Sequence, residues 1–241
     1  MSDAGSEKPT WAERLQKLAK QGKHAPLAKF HAGLAAIDPE TPLAELPLVA
    51  LDLETTGFDP ETDAIVSLGL VPMSLDRIRL AGSRYWVVCP RREFEPESIL
   101  IHHITHEEIE PAPDLLDILP DLFEALSGRV PIVHYRRIER PFLRQAIQRR
   151  LGEAIDFPLI DTMALEAWLL HNNRNLGQRL ADRLGLRRRP GLRLAQLRER
   201  YGLPAYTPHH ALTDAIATAE LFQAQVAWHF DPATPVGNLW L

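Results

Sequence analysis

The chain has 241 residues, 45% hydrophobic and 24% charged, ordinary values for a globular protein able to bury a sizeable core. Its single cysteine, Cys89, excludes an intramolecular disulfide, and no apolar run approaches the ~18 residues of a membrane span. The opening MSDAGSEKPT lacks the basic and apolar regions of a secretory leader, so the expectation is a soluble protein of a reducing cytoplasm, with no membrane partner.

The net charge of −5 is unevenly spread. Residues 38–76 carry nine acids and residues 93–127 ten, with no Lys or Arg in either, whereas residues 129–200 carry sixteen arginines against seven acids. Such a stretch is either a set of solvated helix faces or a basic face for phosphate backbone beside an acidic site for cations.

In chain order, Thr10-Trp11-Ala12-Glu13 fits a capping box, and Trp11, Leu15, Leu18 and Ala19 follow at helical spacing until Gly22. A second short helix is predicted over 25–36. Residues 1–46 are therefore read as a helical N-terminal extension, too short to hold a core alone, that packs on the main domain or serves as a partner-binding arm. Residues 47–230 form the main domain and residues 231–241 a tail.

LVALDLETT (48–56), AIVSLGLVPM (64–73) and YWVVC (85–89) read as three strands joined by turn sequences that favour antiparallel hairpins. Alternation follows: a helix over 112–126, a strand at VPIVHY (130–135), and a helix over 139–151 with Phe142, Leu143, Ala146 and Ile147 inward. A strand at FPLIDT (157–162), helical stretches to about Arg200 and a last helix over 212–230 complete the chain. Hairpin strands followed by helix–strand alternation predict an α/β domain with a mixed sheet.

Asp52 and Glu54 lie two apart on an otherwise apolar strand, so both carboxylates share one face, with Leu51 and Leu53 on the other. Two adjacent anions at the end of a buried strand are costly unless a cation joins them; otherwise the strand ends early and both are solvated. Mg²⁺ and Mn²⁺ favour such hard oxygens. Asp214 falls in the first turns of the last helix, among Ala211, Ala215, Ala217 and Ala219, whose small side chains permit close approach to the sheet. It is either a further ligand or a partner for the helix dipole. His209, on the loop entering that helix, can point at the same place and serve as a general base for water.

Taken together and in this order, these features resemble the DnaQ-like 3′–5′ exonucleases of the DEDDh group. ALDLETTGFDP (50–60) is similar to the first exonuclease motif. HHALTDA (209–215) is similar to the third, with His and Asp separated by four residues. IHHITHEEI (101–109) is similar to the segment that usually reads His-Gly-Ile-Thr, with His103 in the glycine place. VHYRRIERPFL (133–143) falls where the second motif belongs, and LIDT (159–162) resembles the strand that follows. The likeness covers about residues 47–230.

The resemblance implies a ribonuclease H-like fold and release of nucleoside 5′-monophosphates from a DNA or RNA 3′ end, with two divalent cations, Mg²⁺ or Mn²⁺. Carried over, Asp52 bridges both metals, Glu54 and Asp214 complete the shell, and His209 deprotonates the attacking water. Thr55, Thr56 and Gly57 contact the terminal nucleotide, Phe58 wedges against its base or packs on the core, and His102 joins the substrate-binding set. A polymerase or repair partner is also implied. The different-class alternative is a nucleic-acid-binding or polymerase-associated accessory protein with a weakened site.

The second motif departs from the family: Tyr135 replaces its Asn, and Glu139 stands in the Asp place, a D-E-E-D-h set. No other acid lies between Gly128 and Arg150. Glu139 is a working ligand on a longer stem, a salt-bridged residue in an enzyme of weakened metal affinity, or a relic in an inactive binder. The arginines around it suit phosphate contact and ion pairing equally. His102, His103 and His106 with Glu107 lack a second ligand pair for zinc. Arg187-Arg188-Arg189 with Arg183, Arg193, Arg198 and Arg200 is a backbone track for nucleic acid or a solvated helix face.

Overall fold

A computed structural model describes residues 9–91, 106–172 and 190–241. Two helices open it, α1 (Trp11–Gln21) and α2 (Ala25–Ala35). The Thr10 hydroxyl accepts from the Glu13 amide at 3.2 Å while the Glu13 carboxylate accepts from the Thr10 amide at 2.8 Å, the capping box read from the sequence. Strands β1 (Leu48–Thr55), β2 (Ile65–Ser74), β3 (Arg77–Ile78) and β4 (Arg84–Val87) follow, then α3 (His106–Ile109) and α4 (Leu115–Leu126). Next come β5 (Val130–Val133), α5 (Arg136–Leu151), β6 (Ile160–Asp161), α6 (Thr162–Asn172), α7 (Leu194–Arg200) and α8 (Ala211–His229).

The strands form one mixed sheet in the order β3-β2-β1-β5-β6, with β4 also pairing β2. The β1–β2, β2–β3 and β2–β4 pairs are antiparallel, and β5 and β6 are parallel additions beyond β1. Hairpins build one half of the sheet because their connections are short; the parallel half needs a helical crossover, supplied by α5. The segment between β2 and β4, expected as a single turn, holds the two-residue β3 and a 3₁₀ turn, so β2 carries different partners at its two ends.

Alternation along β1 sorts the core into two layers. Val49, Leu51 and Leu53 pack with Leu27, Phe30, Phe123, Phe142 and Leu143 of α2, α4 and α5. Leu48 and Ala50 pack on the other face with Ala215, Ala219 and Phe222 of α8 and Leu165 of α6. Period two then puts Asp52 and Glu54 on the α8 side. The first two helices join the first layer: Phe30 stacks at 5.8 Å on Phe123 and meets Phe157 edge-on at 5.7 Å. Ion pairs of Arg14 with Asp156 and His24 with Glu153 tie them to the segment after α5. Residues after α8 return to the 39–44 segment through a Pro42–Pro235 bridge and the Leu43 amide bonded to Thr234 O at 3.0 Å.

Close approach of α8 depends on Gly69 of β2, which pairs with Asp52 across the ladder. A Cβ at Gly69 would lie 2.2 Å from the Ala211 carbonyl, inside any tolerated contact. The helix start thus lies directly over the strand pair that carries the acidic face.

Candidate active site

Asp52, Glu54 and Asp214 converge: each offers a carboxylate oxygen, and these lie within 4.8 Å of one another. Burial pushes the Asp52 carboxyl well above the usual range, and the charges of Glu54, Asp214 and Glu139 push it further. Asp214 is raised too, chiefly by burial, with Glu54 adding and the His209 amide opposing. Such mutual repulsion is the environment a divalent cation relieves, and hard carboxylate oxygens are its preferred donors. The residues present therefore fit a divalent cation.

Glu139 lies in the first turn of α5 and is buried, outside the 4.8 Å trio but within the field of Asp52. Its Oε2 is buried with no hydrogen-bond partner, and burial raises its carboxyl well above the usual range, with Asp161 adding. The salt-bridge reading of Glu139 is thereby corrected, because none of the neighbouring arginines reaches it. Arg136 pairs with Asp161 at 3.4 Å, and Arg140 donates to Phe157 O at 2.8 Å and Leu241 O at 2.6 Å. Arg144 pairs with Asp156, Arg149 with Glu61 and Arg150 with Asp114. Among the described residues, Arg137 is the one arginine of α5 with no such partner.

Asp161, unremarked in the sequence, sets the start of α5. Its carboxylate accepts from the Tyr135 and Arg136 amides at 3.1 and 3.0 Å, and from Met163 and Ala164 of α6 at 3.0 and 3.1 Å. One buried side chain therefore caps two helices. It also holds Tyr135 in the left-handed region, φ 87°, which ends β5 two residues earlier than its apolar pattern suggested. His134, half-buried and held down to about pKa 4 chiefly by desolvation, bridges Thr162 Oγ1 at 2.8 Å and Leu192 O at 3.0 Å.

Among the described residues, His209 has the other positive φ outside glycine, 71°, and its amide donates to Asp214 Oδ2 at 3.0 Å. Its neighbour His210 caps α8 by accepting from the Thr213 amide at 3.4 Å, and Tyr85 stacks on the His210 ring at 4.4 Å. Left-handed backbone in a non-glycine residue is strained and persists where surroundings enforce it; here the Asp214 bond and the capping histidine do so.

The loop after β1 is shaped by its own side chains. Thr55 Oγ1 donates to Gly57 O at 2.6 Å, and Thr56 Oγ1 donates to Asp63 Oδ1 at 3.2 Å while accepting from the Ala64 amide. A Cβ at Gly57 would lie 2.4 Å from the Asp63 carboxylate, so a larger residue there would displace the side chain that ties this turn. Phe58 is 89% exposed, which corrects the core-packing alternative for it. His102, with His103 and the Arg183–Arg189 tract, lies outside the described residues. Arg198 departs from both readings of its stretch: it is 3% exposed, neither phosphate track nor solvated face. Tyr206 also reaches the cluster, beside Asp214 and within the field of Asp52. No periodic pattern marks it, because it sits in a loop.

A family model for exonucleases of the RNase T type matches residues 49–222. The chain is 30% identical over 174 residues to a PolC-type DNA polymerase III of Thermotoga petrophila, matching 72% of this chain but only 11% of that far longer protein. It is 27% identical over 180 residues to the DNA polymerase III subunit epsilon of Treponema pallidum, covering 75% of this chain and 76% of the relative. Among solved structures, the nuclease domain of 3′hExo, a DEDDh family member bound to rAMP, superposes with a TM-score of 0.59 at 15% identity, over 76% of this chain and 92% of that one. Exonuclease X in complex with 5′ overhanging duplex DNA gives 0.54 at 21% identity, over 80% and 98%. The shared architecture is the ribonuclease H-like mixed sheet expected from the sequence.

Proposed function

The chain belongs to the RNase T exonuclease family, and from that premise we propose that it is a metal-dependent 3′–5′ exonuclease that shortens DNA or RNA by one nucleoside 5′-monophosphate at a time. Family and fold are those of a nuclease; the direction, substrate end and residue roles are the proposal. One observation carries it: Asp52, Glu54 and Asp214 present oxygens within 4.8 Å of one another, and Asp214 is tied through its Oδ2 to the backbone of His209.

Asp52, Glu54 and Asp214, with Glu139 beside them, hold the divalent cations. Those ions, once bound, activate water and neutralise charge developing on the phosphoryl oxygens. His209 takes the proton of the attacking water as its oxygen bonds to phosphorus and the P–O3′ bond breaks. The 3′ oxygen of the shortened strand takes up a proton, and the terminal nucleotide leaves with its 5′ phosphate. The His209–Asp214 tie keeps the backbone of the base beside the acidic face, which favours its positioning. The Thr55–Gly57 loop presents backbone to the terminal nucleotide, and the exposed Phe58 ring supplies a surface for its base. The likeness to polymerase III epsilon and PolC-type proteins supports a polymerase partner.

Incubating the protein with 5′-labelled DNA and RNA oligonucleotides, in Mg²⁺, Mn²⁺ or EDTA, tests this reading. A metal-dependent ladder from the 3′ end is expected with at least one nucleic acid. Intact substrate that is nevertheless bound would favour an accessory protein with a weakened site.

A further inference from the structure

Residues 65–71 of β2 are all buried, and Ser67 is the single polar side chain in that run. Two observations fix the face it occupies. The register sets Ser67 directly across the β1–β2 ladder from Glu54, next to the Asp52–Gly69 pair on the same face. Leu68 and Leu70 pack in the layer of α2, α4 and α5, whereas Val71 packs in the layer of α8. Period two then turns Ser67 to the α8 side, the side that carries Asp52, Glu54 and Asp214.

The Ser67 hydroxyl is fully buried, and Oγ has no hydrogen-bond partner among the described residues. An orphaned buried hydroxyl costs free energy that an alanine at the same place would not, so its presence calls for a reason. β2 runs between β1 and β4, which gives Ser67 two cross-strand neighbours, Glu54 and Val87. Val87 is apolar, so Glu54 is the one cross-strand side chain able to accept. Directly opposed residues of an antiparallel pair bring their Cβ atoms to ~4.5–5.5 Å, within reach of a serine and a glutamate. The ladder also shifts register between Glu54 and Thr55, an irregularity of the kind that re-aims a side chain.

We propose that Ser67 is a positioning residue whose hydroxyl donates to Glu54 and keeps that carboxylate aimed at a divalent cation. This rests on the metal-dependent reading above and adds to it a residue outside the D-E-E-D-h set. Ligating carboxylates depend on such outer donors for their orientation. β2 then serves the site twice, through Gly69, which admits α8, and through Ser67, which braces Glu54.

Ser67→Ala removes one oxygen and keeps the strand, its burial and its pairing. Wild type and variant are melted in EDTA and titrated calorimetrically with Mn²⁺, as full chains without nucleic acid, and Mn²⁺ activation of 3′-end hydrolysis is followed in parallel. The variant should melt in EDTA at or above the wild-type temperature, since alanine leaves no orphaned donor. It should nevertheless bind Mn²⁺ about tenfold more weakly, the usual cost of losing an outer partner of a metal ligand. Its kcat at saturating Mn²⁺ should stay within about threefold of wild type, because the hydroxyl touches no reacting atom. Equal Mn²⁺ affinity in the two proteins overturns the proposal. A lower melting temperature in EDTA overturns it whatever the affinity, by making the hydroxyl a structural bond, as it would be if it served Tyr85, its diagonal neighbour on β4. Wild-type protein that takes up no Mn²⁺ overturns the metal reading itself, a failure distinct from equal binding by both proteins.

Discussion

The backbone amide of His209 donates to the Asp214 carboxylate at 3.0 Å, across the turn that starts α8. The proposed base and the proposed ligand are consequently parts of one local unit, and displacing the helix start displaces both. The start is held in turn by Gly69 beneath it and by the His210 cap stacked on Tyr85.

Glu139 is the proposed departure from the family pattern, and the length of its side chain can be tested. Glu139→Ala should reduce kcat by about 10²-fold or more, as loss of a carboxylate that helps hold the divalent cations does. Glu139→Asp should retain much of the activity, since it keeps the charge on a stem one methylene shorter. Steady-state hydrolysis of a labelled oligonucleotide measures both; an alanine variant as fast as wild type would make Glu139 a bystander.

Asp52 sets a pH dependence in the metal-free protein. Its folded-state pKa is raised, so the folded state binds more protons than the unfolded chain at pH values above ~3.9. The stabilising contribution is complete below that value and is lost as pH rises through the folded-state pKa. Thermal melts in EDTA should therefore show falling Tm with rising pH, and Asp52→Asn should flatten the slope. Added Mn²⁺ should restore Tm at the high-pH end.

Gly69→Ala places a methyl group 2.2 Å from the Ala211 carbonyl. The helix start must move or the fold must strain, at a cost of about 3 kcal/mol or more. Activity should fall further than stability predicts, because Asp214 and His209 move with the helix. Urea denaturation alongside kinetics at a temperature where the variant is fully folded separates the two effects.

His31, on α2, is buried against the core with neither ring nitrogen hydrogen-bonded, and burial lowers its pKa to about 4 despite nearby Asp156 and Glu153. A depressed histidine pKa means the unfolded chain binds more protons between the two values. Stability from this residue is present above ~6.5 and is lost as pH falls toward 4. His31→Leu should remove much of the acid sensitivity in that window, read as the difference in urea midpoint between pH 7 and pH 5. Equal pH slopes in both proteins would rule His31 out as the source.

Local pattern determined much of this protein. The period-two run through LVALDLET placed Asp52 and Glu54 on one face, the alanines at 211, 215, 217 and 219 announced a helix that approaches closely, and the capping box at Thr10 appears as read. The mixed sheet followed from the hairpin turns and the later alternation, because strand and helix periods are properties of neighbouring residues.

Only the tertiary structure decided what depends on residues far apart in the chain. Asp161 caps a helix that begins 25 residues earlier, Arg198 is buried by the helix that follows it, and Tyr206 meets Asp214 through a loop with no period to betray it. Charge counts could not sort the arginines, since Asp156, Glu61 and Asp114 come within reach only once the chain is folded. Whether a charged side chain faces solvent or a partner is set by the packing of elements against each other, a property no single stretch of sequence contains.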